Sequence, residues 1–600
     1  MKYETVFVTT PRKTCSKFKP GLFLGVLGFS QLAMASFTDS ITIGNPKALA
    51  LGHAVTADPP DIDSIHFNPA GLTRLKGRQM FLKGIVGVFS TEMELGEYGD
   101  YTTDLIENYR AQYDDAYRDD NGNYLYGKRP YDEYAYDPVL NTKSESEGGP
   151  TLMLPGGMVD LPIGAGIAGG ASYNPPGSRF TFGTNVYAPL MNGFHRSDDD
   201  PGRFAQQRVA FTLITYFSPT IAYEFSDELS LGVSINFNYS GMGMELPIRE
   251  PHEAIFLLGS PTITGIPGEN PGDPMEREGF CEIGEDGTFV PNSLGIDVCT
   301  TEVPPYTQFG ELRFEVDQNI VLGYNFGLLW EPQPWLSFGL SYNSAVDVEM
   351  DGEFAFPIHD PFKTFLVNLQ SSPGWEEVVV NGLGALGVKL PTAEQTAKDA
   401  EGPLTVSYQV PQRWNVGMSL QVTPNWKVNV DYRWTEWSAF SDINLKFGID
   451  VPLLMWGSVA DQVANGAKNG ISPNEVAYKL GLQDVGYWGF GTEYRYSQNL
   501  VLRAGFEDRP SAVPDDAPNA FIPMNDAKLY SIGFGYDLSE QRHIDFAFGY
   551  MKSETHFPPC SAQLGNACNP YNVVYPVYTG QDIKTKVEVM LFELGFSQHF

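Results

Sequence analysis

Few residues in this 600-residue chain stand at spacings that could do covalent chemistry. Gly164-Ala165-Gly166-Ile167-Ala168-Gly169 fits G-x-G-x-x-G, the turn that brings a dinucleotide pyrophosphate to a helix N-terminus. Alternating residues and a Pro-rich turn come after it rather than a helix, so the dinucleotide reading is set aside. Asp119-Asp120-Asn121-Gly122-Asn123 opens like a calcium loop, but the twelfth position, where a bidentate glutamate belongs, is Pro130. It reads as a turn. Neither G-x-S-x-G nor H-E-x-x-H occurs, and the eight histidines are scattered singly. The chain reads as a non-enzyme with no cofactor and no metal site.

The cysteines carry a clearer signal. Cys281 with Cys299 and Cys560 with Cys568 form two local pairs, each in Gly/Pro/Asn-rich sequence. In an exported protein this pattern predicts two loop-stapling disulfides. Zinc is disfavoured, because neither C-x-x-C spacing nor a neighbouring histidine is present.

Export is itself legible. Lys2, Arg12, Lys13, Lys17 and Lys19 precede a short apolar run, Gly21 to Leu32, and then Ala33-Met34-Ala35, an A-x-A cleavage pattern. The run falls short of the ~20 residues that span a bilayer. Residues 1–35 are expected to be a signal peptide, with the mature chain starting at Ser36. The formal charge of the chain is −34. The leader carries away five basic residues and one acid, leaving −38. Nucleic acid as a partner is excluded on that account, since phosphate binding needs a basic footprint.

Beyond residue 78 the dominant signal has period two. Leu229, Leu231, Val233, Ile235, Phe237 and Tyr239 alternate with Ser230, Gly232, Ser234, Asn236 and Asn238, giving one apolar face and one small, polar face. Comparable runs predict about fourteen strands, near 79–95, 150–173, 179–190, 207–225, 229–245, 312–331, 335–356, 405–422, 426–448, 485–496, 500–508, 528–538, 542–553 and 585–600. A soluble sandwich and a membrane barrel both accept this alternation. Three features favour an all-β transmembrane antiparallel barrel with an apolar face to lipid and a polar face to the lumen. Tyr and Trp sit at strand ends, connections alternate between very short and long acidic ones, and the last strand ends on Phe600.

The long loops hold apolar clusters. Phe256, Leu257 and Leu258 lie in one loop, and Phe362, Phe365 and Leu366 in the next, which also has a capping-box spacing at Thr392 and Gln395. A third loop carries Leu453-Leu454-Met455-Trp456, then a predicted helix from Ser472-Pro473-Asn474-Glu475 to Gly481. Such clusters either cap the barrel or form a landing groove for an apolar ligand. Both readings stay open.

The segment Ser36 to Gly77 has no periodic core of its own and reads as a plug. It contains Ile62 to Leu72 (IDSIHFNPAGL), which resembles the plug signature of the FadL/TodX family. Further echoes are GTNVYAPL at 183–190, SPTIAYEFSDELSL at 218–231, DYRWTEWS at 431–438 and RAGFEDRP at 503–510. The resemblance implies a fourteen-stranded outer-membrane barrel, 78–600, closed by an N-terminal hatch, 36–77. It implies passive uptake of long-chain fatty acids or other hydrophobic compounds. Ligand would land among the outer loops and leave sideways near a kinked third strand. Hatch or gate roles carry over to Asn68, Pro69, Ala70 and Phe37, and ligand contact is expected at the loop residues above. A monomer surrounded by lipid and lipopolysaccharide is expected; a porin, or an adhesin using the acidic loops, is the alternative. Ala57 to Asp63 (ADPPDID) departs from the family's small-residue run before NPA.

Overall fold

The computed structural model of the chain describes residues 40–107, 137–249, 281–283, 289–291, 303, 306, 308–381, 389–440, 442–465, 472–520, 526–562, 565–568 and 577–600. Fourteen antiparallel spans close into a barrel around an N-terminal plug. They are β1 (Gly77–Tyr98), β2 (Gly164–Asn174), β3 (Phe180–Asn185 and Tyr187–His195), β4 (Arg208–Phe217 and Thr220–Glu224) and β5 (Leu229–Arg249). Next come β6 (Gln308–Gln333), β7 (Leu336–Asn343 and Val346–Phe356), β8 (Ala400–Val410 and Arg413–Thr423), β9 (Trp426–Thr435 and Asp442–Phe447) and β10 (Glu475–Lys479 and Val485–Arg495). β11 (Leu500–Arg509), β12 (Ala527–Ser539), β13 (Arg542–Phe557) and β14 (Gln581–His599) complete the wall. Closure is direct: β14 pairs with β1 from Gln79↔His599 to Tyr98↔Gln581. Closure removes most of the exposed backbone donors that lipid could not satisfy, the junction of β2 and β3 excepted.

β6 has 26 residues, about 85 Å of strand at ~3.3 Å per residue. Tilted by ~40°, it still rises about 65 Å, against an apolar band ~25 Å tall. The barrel therefore continues well outside the membrane, and its sidedness inverts on the way. On β7, Phe338 and Leu340 face outward while Gly339 and Ser341 are buried inward. Past Ser344-Ala345 the parity flips: Asp347, Glu349, Asp351 and Glu353 face out or sideways, and Val346, Val348 and Met350 are buried. A one-residue slip swaps every side chain to the other face, and the break supplies it. β8 does the same across Pro411-Gln412, with Trp414 and Val416 outward below and Leu404, Val406 and Tyr408 buried above. β6 flips between buried Phe314 and Val316 and lipid-facing Ile320 and Leu322, beside a register shift against β5. The lower lumen is polar, as the alternation predicts; the upper lumen is apolar, which it did not.

Two sequence expectations need correction. Residues 150–173 are not one strand. Gly156 and Gly157 take φ of 108° and 123° and turn a separate hairpin, Thr151–Leu154 with Gly157–Asp160, before β2 begins. The helix expected from Ser472 to Gly481 is strand instead. Val476 and Tyr478 alternate inward, and Glu475–Lys479 pairs with Asp442–Lys446 of β9. The helix in that loop is Pro452–Asn465. The Thr392/Gln395 capping box does start a short helix, Ala393–Ala397. The G-x-G-x-x-G run lies wholly within β2.

Candidate functional site

The plug, residues 40–76, gains its walls from the barrel. Asn45 accepts the Ala48 N–H (2.9 Å) and Pro46 takes the first helical position of Pro46–Ala50, the arrangement that suits a proline with no N–H to satisfy. Asn68 does likewise for the 3-10 turn Pro69–Arg74, its Oδ1 accepting from Ala70 N–H at 3.2 Å. Its Nδ2 also donates to the Thr56 carbonyl (2.8 Å) and to the Leu328 carbonyl of β6 (3.0 Å). One side chain thus makes a local Asx-type turn, joins two plug segments and reaches the wall. Asn68, Pro69 and Ala70 are all buried. Leu51, Val55, Ile62, Ile65 and Leu72 pack with Phe81 of β1 and Tyr187 of β3 in one apolar cluster.

Glycines on the inward face of the wall form the bed for this backbone. A Cβ at Gly327 would fall on Asn68 Oδ1, one at Gly339 on the Thr56 carbonyl, and one at Gly505 on Gly52 N. Gly232 meets Pro69 and Gly549 meets Leu49 in the same way. What the alternation shows only as a small lumenal face is the footprint of the plug.

Charge fixes the plug's orientation, and ADPPDID supplies much of it. Asp58 lies 3.1 Å from Lys47, 3.1 Å from Lys427 and 3.2 Å from Arg74. Burial opposes its charge, but Lys427, Lys47 and Arg74 outweigh that and hold the carboxyl well below the usual carboxylate range. Asp61 has the opposite environment: burial, with Asp545 nearby, pushes its carboxyl up to about 6. Asp63 accepts from Lys83 Nζ of β1 (2.5 Å), Asn185 Nδ2 of β3 (2.5 Å) and Asn45 Nδ2 (2.8 Å). His53 lies 2.8 Å from Glu507, which also faces Arg433 and Arg509.

Two apolar cavities lie near the first described residues of the plug. The inner one is lined by Leu190, Phe211, Leu213, Val410, Trp437 and Phe440, with Arg413 at its edge. Arg413 Nη1 donates to Ser40 Oγ at 3.0 Å. The outer one lies between β1, β2 and β3 against Ile41 and Thr42, with Ile85, Gly166, Met191 and Leu591 in its lining. There the wall has a seam. β2 pairs with β3 only over Gly170–Tyr173; beyond Val186 β3 keeps its pairing with β4 and has no ladder to β2. Thr42 Oγ1 donates to the Ala188 carbonyl (2.8 Å) just past that break. Ser40 thus touches the edge of the inner cavity through Arg413, and Ile41 and Thr42 line the outer one. Sequence reasoning missed Lys83, Asn185 and Arg413; the pairing of NPA with inward glycines on successive strands was the available signal.

The loop candidates fall elsewhere. Phe362, Phe365 and Leu366 sit on the helix Phe362–Ser371 and are buried. Phe362 lies 4.9 Å from Phe309 and 6.2 Å from Phe365, and Trp375 lies 5.5 Å from Trp456, so these groups pack on one another over the upper lumen. Phe37, Phe256, Leu257, Leu258 and Cys299 lie outside the described residues, as do residues 1–35 and the Asp119 run. Cys281 opens a short strand paired to Phe289–Pro291, and its expected partner falls outside that set. Cys560 and Cys568 are joined as a disulfide.

Comparison with known proteins agrees with this geometry. A long-chain fatty acid transport protein of Escherichia coli O6:H1 is 27% identical over 233 residues, which cover 39% of this chain and 42% of that protein. The 47 kDa outer membrane protein of Pasteurella multocida is 24% identical over 232 residues, 39% of this chain and 44% of its own length. The chain thus spans less than half the length of these curated relatives. Among solved structures, a Pseudomonas aeruginosa FadL homologue matches with a TM-score of 0.57 at 16% identity, covering 93% of this chain and 98% of that one. The Pseudomonas putida toluene transporter TodX matches at 0.51 and 14%, covering 93% and 99%. These two share the fold. The family described as outer membrane protein transport protein (OMPP1/FadL/TodX) matches residues 28–600, and this chain belongs to it.

Proposed function

We propose that this outer-membrane protein takes up long-chain fatty acids or related hydrophobic compounds passively, with the plug acting as a hatch. The carrying observation is the pair of apolar cavities that the start of the plug reaches, Ser40 through Arg413 at the edge of the inner one and Ile41 and Thr42 in the lining of the outer one. Solute enters through the capping loops, where Phe362, Phe365 and Leu366, and the Phe256-Leu257-Leu258 run, offer apolar contact once the cap parts. It rests in the inner cavity and leaves through the seam after the hatch start shifts. Arg413 gives that cavity one guanidinium, which suits a carboxylate head and favours a fatty acid over a hydrocarbon. Asn68, Pro69, Ala70 and Phe37 belong to the moving part, residues 1–35 are the leader, and the barrel works as a monomer among lipid and lipopolysaccharide. A bypass of this kind has a physical rationale, since an apolar path spares the solute a water-filled pore.

The test is uptake of a labelled long-chain fatty acid and of a labelled monoaromatic hydrocarbon by cells lacking the gene, complemented with wild type or Arg413→Met. Wild type should restore uptake, and Arg413→Met should depress fatty acid uptake more than hydrocarbon uptake. Equal uptake of both solutes with and without the gene would overturn the reading.

A further inference from the structure

One buried carboxylate beside the hatch takes no part in the contacts described so far. Glu593 of β14 is 1% exposed, and neither of its carboxylate oxygens has a hydrogen-bond partner among the described residues. An unpaired buried acid is costly and calls for an explanation. Register supplies a neighbour. Lys83 of β1 pairs with Gly595 and Ile85 pairs with Glu593, so Lys83 and Glu593 are diagonal neighbours on the inward face. Diagonal positions are ~7–8 Å apart, within reach of a long side chain. Lys83 is itself buried and lies 2.5 Å from Asp63 of the hatch, with side-chain exposures of 2% and 0%.

We propose that Lys83 is a cation with two seats, Asp63 on the hatch and Glu593 on β14, and that exchange between them sets how readily the hatch leaves the wall. When the hatch moves, Asp63 is withdrawn and Lys83 would be left as an unpaired buried charge, a strongly unfavourable state. Glu593 is the acceptor already in place on the inward face of β14. Asp63 also holds Asn185, the last residue of the first half of β3 and the partner of Gly170 in β2. The same exchange therefore frees the lower end of the seam. This inference rests on the hatch being the moving part, and its readout is independent of solute.

The experiment places a thiol at Ser64, fully buried beside Asp63, and follows maleimide labelling of the full-length protein in outer-membrane vesicles. Asp63→Asn should speed labelling about tenfold or more, and Glu593→Gln should slow it about tenfold. In a Lys83→Met background, Glu593→Gln should change nothing, because no cation remains to exchange. Unaltered gel heat-modifiability of each variant establishes that the barrel is intact. Labelling that is unchanged or faster in Glu593→Gln, or an effect that persists without Lys83, overturns the exchange. The predicted labelling in a protein that restores no uptake would count against the transport reading alone.

Discussion

The lower and upper halves of the barrel are built from the same strands but turned inside out relative to each other. Below the belt of strand breaks, Leu322, Phe326 and Leu340 face lipid while glycines and charges line the lumen. Above it, Glu315 and the acids of Val346–Phe356 turn away from a lumen packed with Phe314, Val348, Met350, Leu404 and Phe447. The difference arises from the two solvents. In lipid the outside must be apolar, which leaves polar side chains inside, several of them bonded to the hatch. In water the outside is acidic and the apolar side chains turn inward, giving an oily interior that a hydrophobic solute could enter. Substitutions should therefore have opposite consequences in the two halves.

Glu507→Gln removes the carboxylate shared by His53, Arg433 and Arg509, all nearly fully buried. Stranding buried cations costs ~3–5 kcal/mol, which urea unfolding in liposomes should register. Next, Leu322→Arg should destabilise by ~2–4 kcal/mol on the lipid face, whereas Glu353→Arg, exposed on β7 above the belt, should stay within about 0.5 kcal/mol. Equal costs would break the two-solvent comparison. Gly327→Ala sets a Cβ against Asn68, an overpacking of ~1–3 kcal/mol. It should loosen the hatch and add steady conductance in planar bilayers while barrel unfolding stays unchanged. The smallest effect concerns Asp61. Its carboxyl is raised to about 6 in the docked hatch, so its charge opposes docking above that pH and is neutralised below it. Asp61→Asn should therefore tighten docking at pH 7.5 and lose that advantage toward pH 5, as read by thiol labelling of the hatch.

The wall was legible because lipid on one side and small residues on the other enforce period two over all fourteen spans. The parity switch at Ser344-Ala345 was present in the sequence too, but alternation alone does not say which solvent a face meets. The hatch site was only partly legible. Asn68-Pro69 is a local turn, visible from spacing, whereas its hold on Leu328 depends on a residue 260 positions away. Asp63 met Lys83 and Asn185 only once the barrel closed. ADPPDID reads as a departure from pattern, and its Asp58 and Asp63 are anchors in the fold. Phe362 and Phe365 read as loop apolars, and they are cap residues on a helix that no capping signal announced.

The central claim is that solute leaves sideways through the cavity at the seam of β1, β2 and β3. Gly166 faces that cavity, and Ile167, its neighbour, points to lipid with 82% exposure. Uptake of a labelled long-chain fatty acid by cells carrying Gly166→Phe or Ile167→Phe tests the claim directly. Filling the cavity should cut uptake about tenfold or more, on the scale of ~1.4 kcal/mol per decade, and Ile167→Phe should leave uptake unchanged. Normal uptake through Gly166→Phe, in a barrel present at wild-type levels, would contradict it.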